Sequence, residues 1–247
     1  MAGWSNPPAK RSERSPVQSH LAHYAELFSC VEINSSFYRP HRGITYARWR
    51  DETPAQFRFS VKMPRSITHE GALRRSKSEV SNFYAEISYL QPKLASVLVQ
   101  LPPSLEYSAA TVRAFFKSVP RLRGTVVTCE PRHATWFTTR ADDALARLEV
   151  ARVAADPVRT SGADIAGGLR RFAYFRWHGA PRMYYSNYSD EQLAAFALKV
   201  KSTDAKEAWC IFDNTARYAA WDNALRFASM IAMTPRRDHL KDVRSRS

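Results

Sequence analysis

The chain has 247 residues, of which 45% are hydrophobic, and a formal net charge of +14. This length suits one large domain or two small ones, and the absence of any run of about 18 apolar residues excludes a transmembrane helix. The three cysteines, Cys30, Cys129 and Cys210, lie far apart, which argues against a disulfide framework, a zinc site or an iron–sulfur cluster and for reduced thiols in a cytoplasm.

Strand-like and helix-like stretches alternate along the chain. HLAHYAELF is predicted to be a helix, because Leu21, Tyr24, Ala25 and Phe28 recur at helical spacing. The predicted strands that follow are CVEINSSFY, FRFSVKMP, ASVLVQLPP, TVVTCEPRH, ARVAADP, FAYFRWHG and AWCIFDN. Between them lie predicted helices such as EVSNFYAEISYLQ, AATVRAFFKSV and SDEQLAAFALKVK, and one glycine-rich connector, SGADIAGG.

This alternation predicts an α/β protein with a parallel (β/α)8, TIM-barrel-like fold, with a doubly wound open sheet as the alternative. Seven strands follow the first helix, and an eighth, truncated strand could precede it and end at Gly3-Trp4-Ser5. No composition break divides the chain, so residues 1–235 are predicted to form a single domain. Residues 236–247 read as a basic tail, and Lys10 to Ser15 as a second peripheral basic segment. The first residues lack the apolar stretch of a secretory signal.

One face of each strand becomes polar toward its carboxyl end. Side chains alternate along a strand, so FRFSVKM places Phe57, Phe59 and Val61 on one face and ends the other at Lys62. The matching positions on the other strands are Glu32 and Asn34, Gln100, Glu130 and Arg132, Asp156, Tyr174, Arg176 and His178, and either Asp213 or Asn214. Unpaired charge inside a protein costs several kcal/mol, and barrels carry their active sites at this end. We therefore expect these side chains to converge on a ligand site.

The charge of this ring favours an anionic ligand. With the deeper Arg58 and Arg152 included, positive charges outnumber the negative charges of the three ring carboxylates. Such an excess suits a phosphate or carboxylate held by an arginine fork, here Arg132 with Arg176.

The same ring suits proton transfer. Carboxylates beside His133 and His178 are typical of acid–base chemistry. No HxH, HExxH or DxD spacing indicates a metal, and neither a glycine-rich phosphate loop nor a GxSxG elbow is present. The sequence therefore predicts no metal and assigns no cofactor.

Several blocks resemble the signature blocks of the YecE-like family, also known as domain of unknown function seventy-two. In order, they are GWS, VEINSSFYR, TPAQFRFSVKMPRSITH, VLVQLPPSL, CEPRHATWF, YFRWHG and IFDNTA. The resemblance covers Gly3 to about Ala228 and implies a TIM-barrel-like fold, but no reaction, because the family has no established activity. Two departures stand out. Only Met1 and Ala2 precede the first block, where the family has a full strand, and Arg217 and Tyr218 stand where a glycine is common.

The resemblance also supplies motif positions, and most of the polar ones coincide with the strand-face analysis. They are Trp4, Glu32, Asn34, Phe37, Tyr38, Lys62, Thr68, His69, Gln100, Pro102, Glu130, Arg132, His133, Trp136, His178, Gly179, Asp213 and Asn214. Combined with the face analysis, the candidate catalytic residues are Glu32, Glu130, His133, Asp156 and His178. The candidate ligand-binding residues are Trp4, Asn34, Phe37, Tyr38, Lys62, His69, Gln100, Arg132, Trp136, Arg176, Asp213 and Asn214.

Three functions remain open from the sequence. The first is a hydrolase or lyase that acts on a phosphate-bearing or sugar-like substrate, with a wall of aromatic side chains around the site. The second is a nucleic-acid-binding or processing factor, suggested by the net charge and by aromatic and basic residues interleaved in FYRPHR and YFRWHG. The third is a non-catalytic barrel that binds an anionic ligand. Basic charge spread well beyond the mouth would favour nucleic acid, and charge confined to the mouth a small anion.

Overall fold

A computed structural model describes residues 7, 19–74 and 77–233, and every structural statement below concerns these residues. The helices are α1 (His20–Leu27), α2 (Ser35–Tyr38), α3 (Gly43–Asp51), α4 (Lys77–Ile87), α5 (Ala109–Ser118), α6 (Thr139–Arg147), α7 (Asp190–Lys201) and α8 (Ala219–Met233). The strands are β1 (Cys30–Ile33), β2 (Arg58–Lys62), β3 (Leu94–Gln100), β4 (Val126–Glu130), β5 (Val150–Arg152), β6 (Ala154–Asp156), β7 (Gly167–Gly168), β8 (Phe172–Trp177) and β9 (Glu207–Phe212). Single turns of other helix types cover Ser66–Glu70, Ser88–Leu90 and Ala134–Trp136.

The strands follow one another around a parallel sheet in chain order. β1 to β5 pair successively, and β6, β8 and β9 form a second parallel set. β5 and β6 are two halves of one run interrupted at Val153, and this run pairs with β4 through its first half and with β8 through its second. The consecutive order has no reversal point, so the doubly wound alternative is excluded and the predicted (β/α)8 barrel architecture is confirmed. The eighth strand predicted at Gly3-Trp4-Ser5 lies outside the described residues.

Side chains at the helix ends explain where several helices begin. The Ser189 hydroxyl accepts from the Gln192 backbone N–H, while the Gln192 side chain accepts from the Ser189 N–H, which forms a capping box at the start of α7. Ser108 and Thr138 cap α5 and α6 in the simpler way, each with one side-chain oxygen. These caps fix how the helices enter the outer layer that covers the strands.

Two predicted boundaries are wrong. The strand predicted over CVEINSSFY ends at Ile33, because the Ser36 hydroxyl contacts the Ile33 and Lys62 carbonyl oxygens and holds the chain in the short helix α2. The connector SGADIAGG contains β7, which pairs antiparallel with β5. Gly168 has φ +64°, and a Cβ there would lie 2.3 Å from the Val150 carbonyl oxygen, so this pairing requires glycine.

The alternation of side chains produces two apolar regions. Outward-facing residues such as Phe59, Val97 and Phe175 pack against the helices. Inward-facing residues fill the barrel below its charged end, and they are Ala95, Leu98, Ala151, Val153, Phe172, Tyr174, Trp209 and Ile211. The opposite end of the interior is charged and forms the site described below. None of the helices in the described part of the chain is long and apolar enough to span a membrane.

Candidate functional site

Polar side chains from six positions around the barrel meet at the carboxyl ends of the strands. We call this set the mouth cluster, and it comprises Glu32, Lys62, Gln100, Glu130, Arg132, Arg176, His178 and Asp213. Each member follows from the strand that carries it, since the last inward-facing residues of parallel strands lie at the same end of a barrel. Of the two possibilities left open for the last strand, Asp213 is the residue that faces the cluster.

Arg176 is the centre of the mouth cluster and is fully buried. Its Nε lies 3.0 Å from Glu32 Oε2, and its Nη2 lies 2.7 Å from Glu32 Oε1 and 3.0 Å from Asp213 Oδ2. Nη1 donates to Glu130 Oε2 at 2.5 Å. Burial lowers the pKa of Arg176, but the three carboxylates outweigh burial and raise it well above its usual value. Because its donors are committed to carboxylates, Arg176 is not half of the anion-binding fork that the sequence predicts.

Both oxygens of the Glu130 carboxylate accept hydrogen bonds. Its Oε1 accepts from Arg132 Nη2 at 3.0 Å and from Gln100 Nε2 at 3.1 Å, while Oε2 accepts from Arg176. Burial raises the pKa of Glu130, but the charges of Arg176 and Arg132 hold it well below its usual value. A carboxylate this acidic is a poor proton acceptor near neutral pH, so the geometry suits Glu130 to positioning and charge balance.

His178 is a buried, titratable side chain of the mouth cluster. Its Nδ1 lies 2.9 Å from Asp213 Oδ2, and its Nε2 lies 3.6 Å from Glu130 Oε1. Burial and the Arg176 charge lower the pKa of His178, but the hydrogen bonds to Asp213 and Glu130 outweigh them and raise it. The Tyr184 ring lies edge-on to the imidazole at 5.8 Å between centroids. Asp213 thus fixes the orientation of a histidine that holds a proton more readily than an ordinary one.

Lys62 differs from the other cations of the mouth cluster. Its Nζ lies 3.9 Å from the centroid of the Phe37 ring, and within the described residues it makes neither an ion pair nor a hydrogen bond. Burial and the Arg176 charge lower the pKa of Lys62 to about 8. The His69 ring lies edge-on to Phe37 at 4.9 Å, and burial together with the Lys62 charge lowers its pKa. Phe37 and His69 therefore form one wall of the mouth, beside an uncommitted amine.

The mouth cluster is close to electrically balanced. Lys62, Arg132 and Arg176 face three carboxylates. The two deeper arginines counted in the sequence lie elsewhere: Arg58 donates to backbone carbonyls near the start of β2, and Arg152 Nε donates to Asp142 at 2.8 Å. The predicted excess of positive charge inside the mouth is therefore wrong.

Several predicted site residues lie apart from the mouth cluster. The strand pair β5–β6 turns Ala151, Val153 and Ala155 toward the barrel axis, so Asp156 faces outward and accepts from the Tyr188 hydroxyl at 2.6 Å. His133 contacts the side chain of Thr135 at the surface. These two placements remove them from the proton-transfer set that the sequence predicts.

Others serve structural roles or lie at the rim. Trp136 is buried and donates to the Leu105 carbonyl oxygen. Asn214 donates to the Ser186 carbonyl oxygen and to Asn223 beneath the mouth. Asn34 occupies the first position before α2, and Tyr38 is 74% exposed. Trp4 lies outside the described residues.

The structure adds residues that the sequence analysis did not select. Tyr174 lies on the polar face of its strand but is not among the predicted catalytic or ligand-binding residues. Its hydroxyl donates to Glu32 Oε2 at 2.8 Å. Arg159 lies in a loop, where no periodicity indicates direction. It lines a small cavity of about 30 Å³ together with Glu130, Arg132 and His178. Larger grooves of about 520 and 530 Å³ lie away from the mouth, on the outer surface of the barrel.

Within the described residues, no group of three or more His, Cys, Asp or Glu side chains is arranged to hold a metal ion. The mouth carboxylates instead direct their oxygens at guanidinium groups.

Comparison with known sequences gives one match over almost the whole chain. The family described as "Protein of unknown function DUF72" matches residues 1–245. UPF0759 protein YecE of Escherichia coli K12 is 36% identical over 99 residues, which are 40% of this chain and 35% of YecE. UPF0759 protein YunF of Bacillus subtilis 168 is 28% identical over 145 residues, 56% of this chain and 51% of YunF. The chain thus spans about a third to a half of the length of these curated relatives.

Solved structures share the fold. A DUF72 family protein from Thermotoga maritima MSB8 superposes with a TM-score of 0.77 at 24% identity, covering 94% of this chain and 97% of that one. One from Enterococcus faecalis V583 gives a TM-score of 0.77 at 20% identity, with coverages of 88% and 90%. The protein SacUVDE is more distant, with a TM-score of 0.53 at 9% identity over 86% of this chain and 84% of its own. At these identities the likeness concerns the barrel alone.

Proposed function

We propose a function from one premise, that this chain belongs to the DUF72 family, the YecE-like family that its sequence blocks resemble. The function is that of an enzyme, of hydrolase or lyase type, which carries out acid–base chemistry at the mouth cluster. Its substrate is small, bears a phosphate or carboxylate group, and is sugar-like in size and polarity. The observation that carries this proposal is His178, held between Asp213 and Glu130 beside a cavity at the carboxyl ends of the strands.

The surroundings of His178 support a role in proton transfer. Asp213 hydrogen-bonds one ring nitrogen, and the other lies 3.6 Å from Glu130 Oε1 and 3.5 Å from Arg176 Nη1, in a residue that lines the cavity. The raised pKa of His178 keeps a proton available near neutral pH, where general acids work best. The low pKa of Glu130 leaves that neighbour ionised, so it stabilises the imidazolium without competing for the proton.

Two arginines beside the cavity support the anionic substrate. Arg132 uses Nε and Nη2 on Glu130, and within the described residues its Nη1 has no acceptor. Arg159 is exposed at the cavity rim, where its Nη2 lies 3.7 Å from the sulfur of Met183. A phosphate or carboxylate in this cavity would accept charge-assisted hydrogen bonds worth roughly 1.5–3 kcal/mol each.

A substrate screen tests this proposal. Phosphorylated and carboxylate-bearing sugars and their small relatives are incubated with the full chain, and turnover is followed by mass spectrometry. The His178→Gln variant should lose roughly 10²- to 10⁴-fold of any activity found, the usual contribution of a general acid or base. Arg113→Ala is the control, because Arg113 is exposed on α5. Activity that survives His178→Gln unchanged would contradict the proposal.

Anion binding is tested separately by thermal unfolding with inorganic phosphate. Phosphate should raise the unfolding temperature of the wild-type protein and of Arg48→Ala, whose side chain is exposed on α3, and the rise should be much smaller in Arg132→Gln. Equal shifts in all three proteins would attribute the effect to general basicity and would remove the anion subsite.

A groove outside the barrel favours nucleic-acid binding as a second candidate function. It lies between α5 and α6, measures about 480 Å³, and is lined by Arg113, Lys117, Arg140, Arg147 and Tyr107. The four basic side chains are exposed, and within the described residues none of them makes an ion pair. The basic charge is thus not confined to the mouth, which is the distribution expected for a polyanion partner.

Salt dependence distinguishes the two functions. Binding of a fluorescent single-stranded oligonucleotide is measured against salt concentration for the wild-type protein and for Arg113→Gln/Lys117→Gln. Loss of two phosphate contacts should flatten the slope of log K against log salt by roughly 1.4. An unchanged slope would exclude this groove, and Arg48→Gln/Arg65→Gln serves as the control for net charge.

A further inference from the structure

We propose that Lys62 is an amine nucleophile and that the substrate of the mouth cluster is a small aldehyde or ketone that also carries an anionic group. This inference rests on the proposed function and narrows its substrate class. It starts from a contrast between two buried lysines at opposite ends of neighbouring strands.

Lys62 and Lys93 are equally buried, each with 7% of its surface exposed, but their amines are in different situations. The Lys93 ammonium donates to the Thr53 carbonyl oxygen at 2.6 Å, to the Thr53 hydroxyl at 3.1 Å and to the Arg50 carbonyl oxygen at 2.5 Å. The Lys62 amine lies over the face of Phe37, and among the described residues it has neither a hydrogen-bond acceptor nor an ion-pair partner. Lys93 therefore has the environment of a structural ammonium, and Lys62 does not.

The carboxylates of the mouth cluster that could pair with the Lys62 ammonium already bind other side chains. Glu32 and Asp213 bind Arg176, and Glu130 binds Arg176 together with Arg132 and Gln100. Their charges act to raise the pKa of Lys62, yet among the described residues no carboxylate oxygen lies within ion-pair distance of its Nζ. Burying an ammonium without a hydrogen-bond acceptor is costly, and release of its proton relieves this cost.

The strand gives the amine a fixed position. β2 pairs on both sides, with β1 and β3, and the Lys62 carbonyl oxygen accepts from the Ser36 hydroxyl at 2.7 Å. Burial and the Arg176 charge lower the pKa of Lys62 to about 8. About a tenth of the amine is then unprotonated at pH 7, far more than for an exposed lysine with a pKa near 10.4. An unprotonated amine has the lone pair that attack on a carbonyl carbon requires.

The chemistry balances with groups of the mouth cluster. The Lys62 nitrogen bonds to the carbonyl carbon, the carbonyl π pair moves to oxygen, and that oxygen takes a proton from the His178 imidazolium. The nitrogen then returns one proton to the imidazole. A second transfer from His178 to the hydroxyl releases water and leaves a protonated imine, so the net change consumes one proton and forms one water.

The protonated imine defines the reaction type. Its positive nitrogen accepts the electron pair of a neighbouring C–C or C–H bond when that bond breaks, which is the chemistry of a lyase. Hydrolysis of the imine by water then restores Lys62. Of the two reaction types in the proposed function, this inference selects the lyase.

Reductive trapping tests the inference on the full chain. The protein is incubated with pyruvate or with dihydroxyacetone phosphate and sodium cyanoborohydride, which reduces an imine to a stable secondary amine. Peptide mass mapping should find Lys62 labelled roughly tenfold or more faster than Lys117, since an exposed lysine has a pKa near 10.4. It should also be labelled faster than Lys93, because hydrogen bonds to Thr53 and Arg50 hold the Lys93 ammonium. Labelling should increase as the pH rises through about 8.

Two lysine variants, together with the labelling of Lys62 relative to other lysines in the wild type, show whether the fast labelling comes from Lys62. Lys62→Arg should abolish the fast labelling, and Lys93→Arg should leave it unchanged. Labelling spread evenly over surface lysines, or fast labelling that persists in Lys62→Arg, would overturn the inference. If Lys62 stays unlabelled while activity still depends on His178, the proposed function stands and this inference fails. If Lys62 is labelled but activity does not depend on His178, Lys62 stands as the amine nucleophile and the proposed acid–base role of His178 fails.

Discussion

The two ends of the barrel interior are equally buried but are stabilised in opposite ways. Below the mouth cluster, Leu98, Trp209 and Ile211 form an apolar cluster. Near the carboxyl ends, Arg176 holds three carboxylates. Tyr174 joins the two regions, because its ring stacks on Trp209 at 5.9 Å while its hydroxyl donates to Glu32.

The two regions differ in how much they contribute to the stability of the fold. Apolar burial stabilises a fold at about 25 cal/mol per Å², whereas a buried ion pair often contributes no more than apolar residues of the same volume would. The charged end is therefore poorly explained as a source of stability, and it is well explained as a site. Four predictions follow the contrast, from the largest expected effect to the smallest.

Arg176→Met should be the most destabilising change. It leaves Glu32, Glu130 and Asp213 buried without their common cation, which costs about 3–5 kcal/mol. Urea unfolding at pH 7 measures the loss. The control is Arg65→Met, which breaks an exposed pair with Glu70 and should cost at most about 1 kcal/mol. Similar losses from the two variants would mean that the mouth network does not depend on Arg176.

Leu98→Ala probes the apolar end and should cost about 2–5 kcal/mol, the range for large-to-small changes in a core. Its loss should be the same at pH 7 and at pH 3.5, because no titratable group is involved. A strongly pH-dependent loss would show that the two ends of the interior are coupled.

The pH dependence of Arg176→Met should differ from that of Leu98→Ala. Glu130 and Asp213 have folded-state pKa values below their unfolded values, chiefly because Arg176 outweighs the effect of burial. Their stabilisation is present above the unfolded pKa, near 4, and is lost as the pH falls through the folded pKa. The cost of Arg176→Met should therefore shrink as the solution is acidified toward pH 3. A constant cost would contradict the assigned ion pairs.

His178→Gln should give the smallest effect and one limited to a pH window. The folded pKa of His178 is raised, so its contribution is complete below the unfolded pKa near 6.5 and is lost as the pH rises through the folded value. Its size is about 1.4 kcal/mol per unit of raised pKa. Comparing unfolding free energies of the wild type and the variant from pH 5 to pH 8 measures it. Parallel curves would contradict the assigned contacts.

Regular strands made most of the mouth predictable from the sequence. Where a strand alternates apolar and polar residues, the face of each side chain is fixed by the period of two, and this placed Lys62, Glu130 and Arg176 together. The run ARVAADP also alternates, with Arg152 and Asp156 on its polar face, but here the small apolar face that carries Ala151 and Val153 is the one turned into the barrel. Asp156 and Arg152 were consequently assigned to the wrong face, and their partners, Tyr188 and Asp142, lie on helix or loop segments that no local pattern indicates.

Positions after the strand ends were the least predictable. Once the chain leaves a strand, side-chain direction depends on turns and caps, so His133, Trp136 and Asn214 share motif blocks with mouth residues without sharing their location. The balance of charge was mistaken for the same reason, since a count along the sequence does not show which arginines already have partners.

The pairing of Glu32 with Arg176 joins residues that are 144 positions apart. A chain emerging from the ribosome therefore carries Glu32 and Glu130, together with the strands that hold them, well before the cation that neutralises them is synthesised. Contacts of such long sequence separation form slowly, because the entropy of closing the long loop is lost before the contact stabilises the fold. The charged end of this barrel is accordingly expected to be its last part to mature, after the apolar layers beneath it have already brought the strands together.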